Sequence, residues 1–386
     1  MAENKVAEKK FLKGALWFLA FVLTTVVAIA AAIYLLMWLF CKGPSVSARN
    51  TFVATMLETG NMKFVVSWYL TEEEILSITE SGADSNYFSD IDLTSAFVST
   101  DHSGESEAAS ASVITGETAS NITIHSAVDN ISDVGLISIT GRTFEAQLLV
   151  VRDPSRITLA TAYPWSSMER EKNGMTVGEY CIAYGGLAAV NAGEFETPSG
   201  INWGGRPIGI VVCDGEVLFN EPTAGDVLVG FNKNNILVIE EVGSMTPEQF
   251  ESYVYEHAII NAVSFKDISD GNTNHFTRLI TDGTAVNLNG KGIGANPRTA
   301  IGQCADGTVL ILVTDGRGSA GHLGATGQDL INILMEYGAV NAANLDGGSS
   351  SSLFYDGEYM ITSSFLPNSD ASRRLPTVFV VTGPES

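Results

Sequence analysis

Thr299-Ala-Ile-Gly-Gln-Cys304, a break at Ala305-Asp306-Gly307, and Thr308-Val-Leu-Ile-Leu-Val313 make up the stretch that decides the fold. Two apolar runs flank an Asp-Gly pair, which tolerates the positive φ of a tight turn, so the segment reads as a β-hairpin. The same arrangement recurs at Asp214-Gly215 and Asp356-Gly357. Hairpins join antiparallel strands, so the chain from Asn121 onward is expected to be mainly antiparallel sheet. Two helices interrupt it. Thr246-Pro247-Glu248-Gln249 combines an N-cap, a proline at the first helical position and a capping-box glutamine, and predicts a helix to about Tyr255. Thr326, with Asp329 three residues on, opens the second, whose Leu330, Ile331, Leu334 and Met335 give a core face before Gly338 ends it. The expected class is α+β, with residues 121–386 as one domain and a few helices packed on the sheet.

Toward the N-terminus the composition changes twice. Residues 81–120 are rich in Ser, Ala, Asp and Glu and poor in large apolar side chains, and read as an acidic linker. Residues 42–80 read as a helical stem: Val53, Met56 and Leu57 give a partial apolar stripe, and Thr71 with Glu74 forms a capping box ahead of Ile75, Leu76 and Ile78. Before the stem, Gly14 to Cys41 is 28 residues without a charge, bracketed by Lys13 and Lys42. As a helix that run is ~42 Å long, against a hydrocarbon core of ~30 Å. Trp17 near one end and Tyr34 and Trp38 near the other match the aromatic belts of a span. A cleavable signal would have a shorter apolar run and a small-residue exit, which Met37-Trp-Leu-Phe-Cys41 does not offer. Residues 14–41 are therefore expected to cross a lipid bilayer once. Lys5, Lys9, Lys10 and Lys13 precede the span, so the positive-inside rule leaves the tail 1–13 in the cytoplasm. The remainder would lie outside the cell membrane.

The chain carries 21 bases against 44 acids, a net charge of −23; beyond residue 42 the balance is 16 against 42, or −26. So acidic a body excludes nucleic acid as a partner, because phosphate neutralisation needs clustered Lys and Arg. The 4 Cys, with no Cys-x-x-Cys, exclude a disulfide scaffold and read as small buried apolar residues. No His-Glu-x-x-His and no Gly-x-Ser-x-Gly occurs, and neither a metal nor a cofactor is expected. Gly290-Lys-Gly-Ile-Gly-Ala295 matches a dinucleotide fingerprint loosely, but Asn296-Pro297 follows where a helix has to start, so that reading is rejected.

Three segments concentrate Gly, Asn, Asp and Arg at the ends of apolar runs: Val190-Asn191-Ala192-Gly193-Glu194-Phe195; Asn296-Pro297-Arg298-Thr299 with Thr314-Asp315-Gly316-Arg317; and Asn344-Leu345-Asp346-Gly347-Gly348-Ser349-Ser350. Polar clusters at strand ends suit a rigidly held site. In order and spacing, Asn-Pro-Arg-Thr-Ala-Ile-Gly, Asp-Gly-Arg, a helix and Asn-Leu-Asp-Gly-Gly-Ser-Ser together resemble the phosphodiester glycosidase family over residues 180–383. Asn191-Ala-Gly-Glu-Phe resembles the family's Asn-Gly-Gly-Phe-Phe element; Gly193 is kept, while Ala192 and Glu194 depart from it. Ser349 stands where a third Gly is common.

The resemblance implies hydrolysis of a sugar 1-phosphodiester at the anomeric carbon, on a phosphoglycan of the cell surface or exopolysaccharide. An oxocarbenium-like centre calls for carboxylates, and Asp346, Asp315 and Glu194 are the candidates. A phosphodiester anion calls for bidentate guanidinium groups, which points to Arg298 and Arg317. Asn191, Thr299, Asn344 and Ser350 are candidates to hold sugar hydroxyls, with Gly193, Gly347 and Gly348 allowing close approach. Plainer readings stand beside these. Asp315-Gly316 also reads as a turn, Glu194 as a solvated surface charge, Asn191 as a turn cap, Arg298 as one half of a structural pair, and His322 as a surface-loop histidine. A phosphoglycan-binding module without turnover, or a hydrolase of another phosphodiester, are the competing functions.

Overall fold

Around Asp306-Gly307 the chain is a hairpin: strand Thr299–Cys304 pairs antiparallel with Val309–Thr314, Thr299 opposite Val313. In this computed structural model the described residues are 2–58, 63–81, 94–98, 128–165, 174–196, 204–269, 274–318, 321–362 and 372–383. At Asp214-Gly215 and Asp356-Gly357 both residues have positive φ, as a two-residue primed turn requires; at 306–307 only Gly307 does. A further Asp-Gly hairpin that the sequence reading passes over, Asp282-Gly283, joins Arg278–Thr281 to Thr284–Ala285.

Every described strand pairing is antiparallel. The largest sheet has eight strands, in the order Thr94–Val98, Val134–Thr140, Glu145–Val151, Val309–Thr314, Thr299–Cys304, Ala339–Asn344, Arg278–Thr281 and Thr284–Ala285. A second runs Glu216–Glu221, Gly209–Cys213, Ile259–Lys266, Asp226–Asn232 and Leu237–Glu241. The third runs Glu358–Thr362, Ser352–Tyr355, Gly186–Asn191, Thr377–Thr382 and Ile157–Thr161. One core lies between them, drawing Leu149, Ile301 and Ile311 from the first, Val211, Val229 and Val263 from the second, and Leu159, Val190 and Phe379 from the third. These strands are buried along nearly their whole length, as the unbroken Val/Ile/Leu runs require.

Each sheet is covered on its other face by one helix, so the class is α+β as expected. Gly327–Glu336 packs on the eight-stranded sheet, Pro247–His257 on the second and Val177–Ala183 on the third. All three begin with a capping box, at Thr326/Asp329, Thr246/Gln249 and Thr176/Glu179, which satisfies two orphan donors reciprocally. The sequence predicts the first two; the third carries the same signature, with Glu179 three residues after Thr176. On Gly327–Glu336 the core face is Leu330, Ile331, Ile333 and Leu334, whereas Met335 is exposed, a shift within one turn that places Ile333 where Met335 was expected.

One long helix, Ala2–Lys42, leads the chain, and its portion Leu12–Lys42 is long and apolar enough to cross a membrane. The stem is three helices, Val46–Glu58, Lys63–Ser67 and Glu72–Ser81, the last opened by Thr71 and Glu74 as expected. Residues 94–98, inside the stretch read as a linker, form an edge strand on Val134–Thr140. The proposed domain start at Asn121 lies outside the described residues.

Candidate active site

Antiparallel register brings the three polar segments to one place. Ala300 lies opposite both Leu312 and Asn344, so the start of Thr299–Cys304 adjoins the ends of Val309–Thr314 and Ala339–Asn344. In the neighbouring sheet Val378 lies opposite Asn191, so the end of Gly186–Asn191 adjoins the start of Thr377–Thr382. Asn191 fastens the two sheets at this point. Its buried amide donates to the main-chain carbonyl of Asp346 (2.5 Å) and accepts from the Thr299 hydroxyl (2.8 Å) and the Ser352 N–H (3.1 Å). The side chains of Asn191 and Thr299 are thus engaged with protein groups. Asn344 is also buried: its amide donates to Phe276 O at 3.1 Å, while Oδ1 has no partner among the described residues.

The loop after Asn344 is held by main-chain bonds, Leu345 N–H to Thr299 O, Asp346 N–H to Ala192 O and Gly348 N–H to Pro297 O. Such fixing on rigid strands preorganises a side chain before any ligand arrives. The Asp346 carboxyl receives the Ser350 hydroxyl and the Gly347 N–H. Burial nevertheless pushes it up to about 6, outweighing those bonds and the nearby Arg373 and Arg317 charges. Glu194 is no solvated surface charge. Burial, reinforced by the Asp346 and Asp226 charges and opposed by Lys266, pushes it up to about 7. Its Oε2 is buried and has no partner among the described residues. Two interacting carboxyls of different proton affinity is the arrangement that lets one act as acid while the other acts as base.

The arginines divide. Arg298 is buried, with Nε donating to Ala325 O (3.2 Å), Nη2 to Gly294 O (2.7 Å) and the guanidinium 4.9 Å from the Phe276 ring centre. Those bonds fix it as a strut of the loop rather than a free fork. Arg317 has a left-handed backbone (φ 56°), and its Nε is buried without a partner among the described residues. Its guanidinium lies against Gly348, where a Cβ would come within 2.8 Å of Nη2, and Gly348 itself has φ 64°. The positive φ favours glycine there, and any side chain would displace the Arg317 guanidinium. Arg373, which the sequence reading missed, stacks 4.7 Å from the Phe195 ring centre and donates to the Ser349 hydroxyl at 3.0 Å. Burial lowers the proton affinity of Arg317 and Arg373, and Arg317 also feels the charges of Arg298 and Arg373. Like charges gathered in a partly dry site form a receptor for an anion. The signal for Arg373 was its place in Ser372-Arg373-Arg374, directly before an apolar strand, in a body with few bases.

Asp315 is buried and doubly engaged: Oδ1 accepts from Glu145 N–H (2.8 Å), and Oδ2 lies 2.6 Å from Nδ1 of His322. The pairing orients the imidazole and leaves Nε2 for other use. The sequence reads His322 as a surface-loop histidine or one that reaches a ligand; its loop is bonded to the Arg317 segment through Arg317 N–H to Leu323 O and Gly318 N–H to His322 O. Gly193 is needed for packing, since a Cβ there would come within 2.9 Å of Val263 in the second sheet. Among the described residues no group of three or more His, Cys, Asp or Glu is placed to hold a metal ion.

These elements fall within one sequence match: the phosphodiester glycosidase family covers residues 184–382, from before Asn191 to beyond Arg373. The chain belongs to the phosphodiester glycosidase family. Membership carries hydrolysis of phosphodiester glycosidic bonds as the family-level activity. A relative, the SPbeta prophage-derived uncharacterized protein YomE of Bacillus subtilis (strain 168), is 30% identical over 234 residues, 58% of this chain and 32% of that protein. The match thus spans about a third of that relative's length. Among solved structures, the catalytic domain of zebrafish N-acetylglucosamine-1-phosphodiester alpha-N-acetylglucosaminidase matches with a TM-score of 0.51 at 18% identity, over 65% of this chain and 82% of that one. At that identity the likeness speaks for the phosphodiester glycosidase fold.

Proposed function

We propose that this phosphodiester glycosidase hydrolyses a sugar 1-phosphodiester by attack of water at the anomeric carbon, with Asp346 and Glu194 as the reacting carboxyls and Arg317 and Arg373 as the phosphate clamp. The observation that carries the reading is the half-buried Asp346, fixed by the main-chain bond from its N–H to Ala192 O and flanked by the Arg317 and Arg373 guanidinium groups, with the buried Oε2 of Glu194 feeling its charge. Ionised Asp346 supports the developing positive charge at the anomeric carbon or activates the water, and protonated Glu194 supplies the hydrogen bond or proton on the leaving side. The leaving phosphate is a weak base, so charge neutralisation by Arg317 and Arg373 contributes more than proton delivery. Asp315 acts as a positioning group for His322. Arg298, Asn191 and Thr299 hold the loops.

In this reading the helix at 14–41 spans the cell membrane with tail 1–13 in the cytoplasm, and the domain works outside on surface phosphoglycan or exopolysaccharide. Detergent-solubilised full-length protein, incubated with N-acetylglucosamine-1-phosphodiesters, is expected to release free sugar. Asp346→Asn and Arg373→Gln should each abolish most release while the protein melts as before. Tight phosphoglycan binding without product would instead make the chain a binding module, and full activity in both variants would refute the site.

A further inference from the structure

The stem folds back along the apolar helix. The Tyr69 hydroxyl donates to the main-chain carbonyl of Tyr34 (3.3 Å), and the two rings lie 5.2 Å apart. Phe52 stacks on Phe40 at 4.9 Å, and Cys41, Val53, Val66, Leu70 and Ile78 form a small buried core. Two large side chains just before Tyr69 stay outside that core. Phe64 is 51% exposed and Trp68 is 68% exposed, and they lie one turn apart with their rings in edge contact at 5.1 Å.

Tyr34 stands eight residues before Lys42, inside the uncharged run. Twenty residues counted from Gly14 end at Ile33, a rise of ~30 Å that already fills the hydrocarbon core. Keeping all 28 uncharged residues inside instead demands a tilt of ~45°, beyond the usual range of up to ~40°. In either case the bilayer reaches at least to the level of Tyr34. It surrounds a single span on every side, so groups held beside Tyr34 meet its boundary. Aromatic side chains are the residues that favour that depth. Trp68 is the residue next to Tyr69, so its exposed ring, with that of Phe64 against it, stands near this boundary.

We infer that Phe64 and Trp68 form a second membrane contact, seated in the headgroup–acyl boundary beside the span. The inference rests on the reading of residues 14–41 as a membrane span. It also ties the site to the bilayer, because the stem helix Val46–Glu58 meets the body at Thr55, whose hydroxyl accepts the N–H of Ala295 at 3.1 Å, three residues before Arg298. The active-site loop is thereby held at a set height above the lipid surface.

The test is tryptophan quenching in the full-length protein reconstituted into phosphatidylcholine vesicles brominated either near the headgroup end or near the terminus of the acyl chain. Trp68→Phe, Trp17→Phe and Trp165→Phe each define one residue's contribution by difference from the unaltered protein. The expected result is loss of the Trp68 component, larger with the shallow bromines than with the deep ones, and an unaffected Trp165 component. An unquenched Trp68 component beside a quenched Trp17 component would overturn the inference and leave the span standing. If neither Trp17 nor Trp68 were quenched, both the span and the second contact would be wrong.

Discussion

Glu194 is the residue whose meaning changes most between sequence and structure. In the sequence it is a departure from the family element and as readily a solvated charge; in the fold it is a half-buried acid with a buried Oε2, pushed up to about 7, near an aspartate pushed up to about 6. A rate that needs Asp346 ionised and Glu194 protonated falls below about pH 6 and above about pH 7, and a profile of kcat/KM against pH should be a narrow bell. Its limbs belong to the coupled pair. Glu194→Gln should remove the alkaline limb, and Asp346→Asn should lower the proton affinity of Glu194 by removing a neighbouring charge. Stability follows only the alkaline side. Because the fold raises the pKa of Glu194, its contribution is complete below the unfolded value near 4.5 and is lost as pH rises through about 7. Glu194→Gln should therefore melt higher than the unaltered protein at pH 8, by the equivalent of ~3 kcal/mol, and no higher at pH 4. Gly348→Ala forces a Cβ into the Arg317 guanidinium and should raise KM by roughly tenfold (about 1.4 kcal/mol), with the effect confined to phosphate-bearing ligands.

At the scale of elements, local chemistry was legible and long-range pairing was not. Capping boxes and Asp-Gly turns act over a few residues, so two of the three body helices and three hairpins could be read directly from the chain. What decides the role of Arg298 is a set of carbonyls at Gly294 and Ala325, and what decides the role of Asn191 is a threonine 108 positions away and a serine 161 away. No periodicity encodes such meetings; they follow from the stacking of three sheets. The Asp315–His322 pair lies only seven positions apart, but across a Gly-rich loop whose path local rules do not fix. Thr326→Ala removes a cap whose hydroxyl serves the Asp329 N–H, and should cost about 1 kcal/mol in thermal melting without changing KM. Asn191→Ala leaves the Thr299 hydroxyl, the Ser352 N–H and the Asp346 carbonyl short of a partner, and should cost several times more, ~3 kcal/mol, together with most of the activity.

At the scale of the whole molecule, the chain beyond Lys42, of net charge −26, has an anion as its proposed ligand. Long-range attraction is absent, so affinity has to come from a few desolvated guanidinium groups at short range, where salt screens little. The fold brings Arg317 and Arg373 together beside Asp346, and the stem helix meets the body at Thr55, which accepts the N–H of Ala295. In the proposed reaction the bond cut is the one between the anomeric carbon and the phosphate oxygen. Turnover of a sugar 1-phosphodiester in water enriched with oxygen-18 tests it directly, read by mass spectrometry on the phosphomonoester product, whose oxygens do not exchange with solvent. Cleavage at the anomeric carbon leaves that phosphate without the heavy isotope. A phosphate carrying one oxygen-18 would show attack at phosphorus and rule out cleavage at the anomeric carbon.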